Sequence, residues 1–319
     1  KIKYYIKLIS SQEESMEKLQ LSKLLDTHNH NKTLDEIKSL YGKYYSEFAI
    51  IEDLFFIVKD LFYGEFPGYQ KCNTQYHDFQ HTVDATLAAM RLLDGYNIKC
   101  KIIPEDIAYC LIIAALLHDT GYIQEDWDTE GTGAKYTAVH VGRSVEFLRK
   151  HYTKFQIAEK YIPIISLCIQ STGLSTNFKE LAFISKEHRI AGAMMGTADL
   201  LGQMSDREYL EKLLFLYYEF KEAGIPGYST EYDIIWKTID FYVMTVKRMK
   251  RDYLNVQRYC TYHFEKRYAI PSNLYMVAIN RNIRYIKKII ADESTNFRHK
   301  LKRGDQYQLQ MLSQQSVHH

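Results

Sequence analysis

The sequence predicts an all-α protein. Long segments carry apolar residues at helical spacing, and no segment shows the strict alternation of a half-buried strand. Only five prolines occur in 319 residues, so few positions force a helix to end. Apolar residues make up 46% of the chain and charged residues 25%, as in globular proteins with a substantial core. The simplest architecture is a single helical domain with helical additions at both ends.

Eleven segments are predicted to be helical. Pro104 precedes an acidic first turn, Ser205 and Glu208 match a capping box, Gly224 marks a helix end, and Thr230 is placed to cap the following helix. The predicted helices cover residues 11–25, 34–62, 76–93, 104–119, 136–152, 157–170, 188–203, 205–224, 231–252, 255–266 and 272–291.

Polar stretches separate several of these helices. Residues 27–32, 64–75 and 124–135 are predicted loops, and the residues after 291 a polar tail. His28 and His30 in the first loop are interpreted as solvated, with a weak metal site as the alternative, because two ligands alone lack supporting residues.

Charge and apolar runs exclude some classes of function. The formal net charge of +2 gives no general argument for a nucleic-acid or membrane surface. No segment approaches the roughly 18 consecutive apolar residues of a membrane span. The basic run at residues 247–251 is interpreted as the solvated end of a helix, with a nucleic-acid surface as the less favoured alternative. We therefore expect no membrane association.

The five cysteines are scattered and form no CxxC pair. This usage is typical of a reducing compartment and excludes a thiolate zinc site of the usual spacing. The first residues also lack the long apolar region and cleavage site of a signal peptide. We expect a cytoplasmic protein.

The most informative stretch is His118-Asp119, which follows the apolar run from Ile107 to Leu117. An unpaired imidazole and carboxylate at the end of a core helix would cost several kcal/mol. A divalent cation would compensate them, since imidazole nitrogen and carboxylate oxygen suit zinc, manganese, iron or magnesium. The remaining ligands must then come from elsewhere in the chain.

Two other segments supply candidates. His77, His81 and Asp84 are spaced so that one helix would present all three on one face. Asp199 is a lone carboxylate in an apolar, small-residue helix, where a buried Asp needs a partner; capping of a neighbouring helix is the alternative.

The order of these residues resembles the HD superfamily of metal-dependent phosphohydrolases. More narrowly, Tyr76-His77-x-x-x-His81-x-x-Asp84 and the segment Thr197-Ala198-Asp199-Leu200 resemble the catalytic domain of class I cyclic nucleotide phosphodiesterases. The similarity covers roughly residues 70–250. It implies an HD-type fold, His77 as the general acid towards the leaving oxygen, and Asp84 as a supporting residue. It implies metal ligands at His81, His118, Asp119 and Asp199.

With this resemblance the chain divides into three predicted parts. Residues 1–69 form N-terminal helices, residues 70–252 the catalytic core, and residues 253–319 C-terminal helices with a polar tail. One or two divalent ions are expected, with Asp119 able to bridge a pair.

The chain departs from the phosphodiesterase pattern at Tyr122, where that family has a second histidine after the His-Asp pair. His140 is a candidate replacement ligand or phosphate contact, and helix packing is its alternative role. Gln203 lies one helical turn after Asp199 and is a candidate pocket residue. The glutamine and aromatic arrangement with which the family clamps a purine has no counterpart near the C-terminus, so specificity for cyclic nucleotides does not carry over.

A short loop, Glu130 to Lys135, contains two glycines whose backbone amides could approach a phosphate, although a mobile connection is the simpler interpretation. If the loop is functional, Lys135 and Arg143 are the candidates for neutralising the phosphate.

The sequence thus predicts a metal-dependent phosphohydrolase, specifically a phosphodiesterase acting on a small phosphoester or nucleotide. A nucleotidase or nucleotide triphosphohydrolase is the alternative with the same chemistry. A catalytically silent, metal-containing regulatory module and a scaffolding protein with a tyrosine-rich surface are alternatives from other classes. Oligomerisation is compatible with the sequence.

Overall fold

The computed structural model describes residues 20–292 and 297–301. Within these ranges the chain forms α-helices and short 3-10 turns, and no strand; Tyr69 and Glu125 make one isolated antiparallel bridge. The all-α prediction is confirmed. Among the same residues, no helix combines the length and apolar character that a membrane crossing requires.

Thirteen helices are described, numbered here in chain order. They are α1 (Leu21–Leu24), α2 (His30–Tyr41), α3 (Ala49–Tyr63), α4 (Phe79–Lys99), α5 (Glu105–Leu117), α6 (His140–His151), α7 (Ile162–Gln170), α8 (Lys186–Ser205), α9 (Tyr209–Glu222), α10 (Glu231–Arg251), α11 (Tyr259–Tyr268), α12 (Leu274–Ala291) and α13 (Phe297–Lys300).

Helix α5 is the centre of the core. Every residue from Ile107 to Leu117 is buried, as expected of a helix that is apolar on all sides. It packs against α3, α4, α7 and α8. The polar residues that follow its C-terminal end, His118 and Asp119, therefore lie in the protein interior.

Helices α4 and α8 cross in close contact. A Cβ atom at Gly202 of α8 would lie 2.9 Å from the backbone nitrogen of Ala85 in α4, so the two backbones approach at van der Waals distance. On its other side α4 packs on α11, where a Cβ at Gly95 would lie 1.9 Å from the carbonyl oxygen of Tyr259. Small residues thus set the spacing around α4, which carries His81.

The predicted helix over residues 34–62 is wrong in one respect: it is two helices, α2 and α3, separated by residues 42–48. The backbone amides of Ser46 and Glu47 donate to Glu105 Oε1 at 2.7 and 2.8 Å. Tyr45 donates its hydroxyl to the carbonyl of Ile103. Contacts with a segment distant in sequence therefore replace the helical hydrogen bonds that local periodicity predicts.

Helix α4 begins later than predicted. Asp78 is its N-cap and accepts a hydrogen bond from the backbone amide of His81, so the helix begins at Phe79. The prediction that His77 shares a helical face with His81 and Asp84 is therefore wrong, because His77 precedes the helix. The helix also continues to Lys99, past the predicted end at Leu93.

The capping box predicted at Ser205 and Glu208 is also wrong. Helix α8 runs through Ser205, and α9 begins at Tyr209 without a side-chain cap. Thr230 caps α10 as predicted, and there it forms a full capping box with Asp233.

At the N-terminal end, the predicted helix over residues 11–25 lies mostly outside the described residues; α1 is its described part. The predicted loop 27–32 already contains the start of α2, capped by the side chain of Asn29. The polar tail after residue 301 lies outside the described residues. The predicted division into three parts stays a prediction, although α11 and α12 pack directly on α4 and α8, respectively.

Asp94, on α4, ties the N-terminal and C-terminal helices to the centre. Its carboxylate is fully buried and accepts hydrogen bonds from Tyr44, His263 and both Nε and Nη2 of Arg267, at 2.5 to 3.1 Å. Burial lowers the pKa of His263, so the imidazole is neutral and donates through Nδ1.

We predict that Asp94→Asn lowers the free energy of unfolding by about 3 kcal/mol, because a buried charge pair loses one partner. Urea unfolding followed by circular dichroism measures the change. Asp240→Asn, at an exposed position of α10, is the matched control and should change stability by less than about 0.5 kcal/mol. Equal stabilities of the two variants would contradict the role of Asp94.

Candidate metal centre

The structure brings together the four residues predicted as metal ligands. His81 Nε2 lies 3.3 Å from His118 Nε2 and 3.1 Å from Asp199 Oδ1. Asp119 Oδ2 lies 3.4 Å from the Nε2 atoms of both histidines, and His118 Nε2 is 3.8 Å from Asp199 Oδ1. Three helices thus converge on one point, with α4 carrying His81, the end of α5 carrying His118 and Asp119, and α8 carrying Asp199.

Four of these five distances, from 3.1 to 3.4 Å, match those between ligands that share one ion, and the fifth, between His118 and Asp199, is longer. Donor atoms bound at about 2.1 Å lie roughly 3.0 Å apart in adjacent octahedral positions and roughly 3.4 Å apart in a tetrahedron. Among the described residues, His81, His118 and Asp119 form a group of potential metal ligands with donor atoms within 4.8 Å of one another. Asp199 Oδ1 extends this group on the side of His81.

The chemistry of the buried atoms also fits a cation. Asp119 Oδ2 is buried and makes no hydrogen bond in the described structure, which is costly for a carboxylate oxygen. His118 directs Nδ1 towards the carbonyl oxygen of Ala115 at 2.8 Å. If this nitrogen carries the proton, Nε2 presents a lone pair towards Asp119, as a metal-binding histidine does.

The electrostatics of the group favour positive charge. Burial alone would lower the pKa of His81, but the hydrogen bond to Asp199 and the charges of Asp119 and Asp199 raise it to about 9. Burial would raise the pKa of Asp119, yet the neighbouring histidines hold it well below its usual range. The lowered pKa values of Asp119 and Asp199 favour ionised carboxylates, which suit a cation between them.

The turn after Asp119 is held tightly against α6. The backbone amide of Gly121 donates to Ser144 Oγ at 2.9 Å, and Ser144 Oγ donates to the carbonyl of His118 at 2.6 Å. A Cβ at Gly121 would lie 2.0 Å from the carbonyl oxygen of His140. This close packing places the first residue of α6, His140, beside the metal ligands.

His140 faces the second oxygen of Asp119. Its Nδ1 lies 2.7 Å from the carbonyl oxygen of Thr137, and its Nε2 lies 3.8 Å from Asp119 Oδ1. Burial lowers the pKa of His140, which favours the neutral imidazole. The two oxygens of Asp119 therefore face different histidines, the arrangement expected of a bridging carboxylate.

His77 stands outside the ligand group and is held by a residue that the sequence analysis missed. Its Nδ1 lies 2.7 Å from Oε2 of Glu219 on α9, whose other oxygen accepts the backbone amides of Gln75 and Tyr76. Burial opposes protonation of His77, but the charge and hydrogen bond of Glu219 raise its pKa. No sequence signal singles out Glu219, since its helix also carries Glu211 and Glu222.

Tyr122 packs beside both of these histidines. Its ring stacks on His77 with centroids 4.3 Å apart and on His140 at 4.5 Å. Its hydroxyl lies 3.4 Å from His77 Nε2. Burial and the charges of Asp119 and Glu219 keep the pKa of Tyr122 well above its usual range, so the phenol is neutral.

Gln203 and Asp84 lie behind the metal ligands. Gln203 donates through Nε2 to Asp199 Oδ1 at 3.2 Å and accepts the hydroxyl of Tyr76 at 3.0 Å, so it orients a predicted ligand. Asp84 accepts a hydrogen bond from Gln80 and lines a small cavity with His81 and Gln203. Burial and the charge of Asp206 raise the pKa of Asp84 to about 6.

Lys135 and Arg143 are engaged with the protein itself. Lys135 pairs with Asp128 Oδ1 at 2.5 Å. Arg143 donates to the carbonyls of Gly121 and Ile123 at 2.7 and 3.1 Å and stacks on Tyr136. Arg143 therefore braces the turn that carries Asp119, and a role for either cation in phosphate binding stays a prediction.

We predict that His118→Ala or Asp199→Ala weakens Zn²⁺ or Mn²⁺ binding at least roughly 100-fold, since even residues that only support metal ligands cost 10- to 100-fold. Elemental analysis after dialysis and calorimetric titration measure the effect. His28→Ala, in an exposed turn, is the control and should bind metal as the wild type does. Unchanged metal content in both ligand variants would exclude this centre.

Gly121→Ala should lower the free energy of unfolding by about 2 kcal/mol, because its Cβ would collide with the backbone of His140. Gly142→Ala on α6 is the matched control: nothing lies within 4 Å of its Cβ, so higher helix propensity should leave stability equal or raised by up to about 1 kcal/mol. Thermal denaturation compares the two, and an equally stable Gly121→Ala would refute the close contact.

One of two comparisons with known sequences finds a match. A comparison with curated proteins finds no match. The model of a family described as Npun_R2479-like matches residues 125–279, slightly less than half of the chain. The matched range contains His140, Asp199 and Glu219 and begins after His118 and Asp119. Over this range the chain is similar to the Npun_R2479-like family.

Proposed function

We propose that the protein is a metal-dependent phosphohydrolase that acts as a phosphodiesterase on a cyclic nucleotide or a related phosphoester. The observation that carries this proposal is the position of His77. It lies beside the group of His81, His118 and Asp119, is held by the buried carboxylate of Glu219, and contributes no donor atom to that group. A metal site that only stabilised the fold would not need a buried imidazole beside the ligands that does not itself bind the metal.

The residues of the candidate metal centre have separate proposed roles in hydrolysis. His81, His118, Asp119 and Asp199 would hold a divalent ion, with His140 available on the second oxygen of Asp119. The bound ion would polarise a phosphoryl oxygen and make water a better nucleophile. Glu219 accepts a hydrogen bond from Nδ1–H of His77 and would thereby leave Nε2 to face the leaving oxygen. Burial opposes the charged imidazole, but Glu219 raises the pKa of His77, which favours the protonated form that can transfer a proton from Nε2.

Differences in exposure suggest the side from which a substrate approaches. The side chains of His81, His118 and Asp119 are at most 3% exposed, whereas those of Asp199, His77 and His140 are 12%, 14% and 19% exposed. A phosphoester would therefore meet the centre between the proton donor and His140.

A cytoplasmic location belongs to the same proposal. All five cysteines are free thiols, and three of them are buried. Unpaired cysteines are usual in proteins of reducing compartments.

We predict that His77→Asn lowers kcat for phosphodiester hydrolysis at least 100-fold, because a general acid contributes roughly 10² to 10⁴. Metal content should stay at the wild-type level, since His77 is not a ligand. His188→Asn, at the start of α8, is the matched control and should keep full activity. If His77→Asn alters neither metal content nor any phosphoesterase rate, the protein is instead a catalytically silent, metal-containing regulatory module.

The substrate class is tested by turnover of cyclic nucleotides, nucleoside monophosphates and nucleoside triphosphates with the Mn²⁺- or Zn²⁺-loaded protein. Hydrolysis of cyclic nucleotides supports the phosphodiesterase. Exclusive hydrolysis of monophosphates or triphosphates identifies the nucleotidase or triphosphohydrolase alternative, which uses the same centre.

A further inference from the structure

Tyr122 contacts both histidines that flank the predicted metal ligands. Its ring lies nearly parallel to each imidazole, at interplanar angles of 13° to His77 and 21° to His140 and at centroid distances of 4.3 and 4.5 Å. The centroids of His77 and His140 are 6.1 Å apart, so both imidazoles are offset from the centre of the phenol ring. One buried ring therefore contacts both histidines.

The ring itself is fixed relative to Asp119. Tyr122 ends a 3-10 turn in which its backbone amide donates to the carbonyl of Asp119 at 3.1 Å. Its carbonyl packs so closely on Gly133 that a Cβ there would lie 2.0 Å away. Arg143 donates to the carbonyls on either side of Tyr122. With its side chain 2% exposed, Tyr122 has little freedom to move independently of Asp119.

The hydroxyl group makes a weaker contact than the ring. At 3.4 Å its hydrogen bond with His77 Nε2 is long, and a leaving oxygen at ordinary hydrogen-bond distance would displace it. Glu219 fixes the opposite side of the same imidazole at 2.7 Å. The stacked face, rather than the hydroxyl, is thus the contact that sets the plane of His77.

We propose that Tyr122 is a positioning residue: its ring is a shared platform that holds both His77 and His140 at a fixed distance from Asp119. This inference rests on the proposed function, in which His77 donates a proton. Tyr122 occupies the position at which the phosphodiesterase family has a second histidine, and the proposal gives this tyrosine a role. The platform aligns the proton donor with the centre through packing instead of through another metal-directed imidazole.

Two phosphodiesters with different leaving groups test the platform in the metal-loaded full chain. Bis(p-nitrophenyl) phosphate releases a stable nitrophenolate that needs little protonation, whereas 3′,5′-cyclic AMP releases a ribose alkoxide that needs a proton donor. We expect Tyr122→Leu to lower kcat on cyclic AMP roughly 100-fold and on the nitrophenyl ester less than about fivefold. Tyr122→Phe, which keeps the ring, should stay within about fivefold of the wild type on both. Equal losses on both esters in Tyr122→Leu would overturn the proposal.

Nuclear magnetic resonance of the imidazole protons gives a readout that does not depend on activity. Protons over an aromatic face resonate upfield, so the ring protons of both histidines should be shifted in the zinc-loaded wild type and in Tyr122→Phe. Both should move downfield in Tyr122→Leu. Assignments come from His77→Asn and His140→Asn, and a shift confined to one of the histidines would refute a shared platform.

These two measurements keep the proposals separable. If the wild type hydrolyses neither ester, the proposed function fails, and the imidazole resonances still decide whether the platform exists. If Tyr122→Leu does not fold, the wild-type and Tyr122→Phe spectra decide: unshifted resonances of either histidine overturn the platform, and shifted resonances of both support it.

Discussion

The arrangement of this molecule depends on a carboxylate buried at the end of a fully apolar helix. Helix α5 is apolar on all sides, so its side chains are buried from water only if the helix lies in the core. His118 and Asp119, which follow it directly, therefore also lie in the interior. A buried carboxylate in that position requires polar partners or a compensating charge. The imidazoles of His81, His118 and His140 surround it for this reason, and the helices that bring them must approach closely.

Glycine residues allow these helices to approach one another closely. Gly202 lets α8 lie against α4, and Gly121 lets the turn after Asp119 lie against α6. Hydrogen bonds then fix the orientation of each imidazole, as between His118 and Ala115 or between His140 and Thr137. Packing thus determines the positions of the donor atoms, and backbone carbonyls determine which nitrogen faces the centre.

Much of this could be predicted from the sequence, because polar residues isolated in apolar helices have few ways to be satisfied. That reasoning singled out His118, Asp119 and Asp199, helical spacing added His81, and the resemblance to the phosphodiesterase family named the four as ligands of one metal site. Sequence reasoning placed His77 wrongly on the helical face of His81, because Asp78 caps the helix after His77 and this capping depends on local backbone geometry. It also missed the partner of His77, Glu219, which lies 142 residues away and belongs to no motif. The break between α2 and α3 could not be predicted either, because Glu105, which replaces the missing helical hydrogen bonds, is distant in sequence and reaches this segment only in the folded chain.

Helix α9 connects two loops that approach the centre from different parts of the chain. Glu219 holds the segment before α4 through Gln75, Tyr76 and His77, and Glu222, one turn later, accepts from the backbone amide and hydroxyl of Thr132. Both loops thus have the same support. A local unfolding event that releases α9 would free both loops at once, so access to the candidate metal centre and the orientation of His77 belong to one cooperative unit.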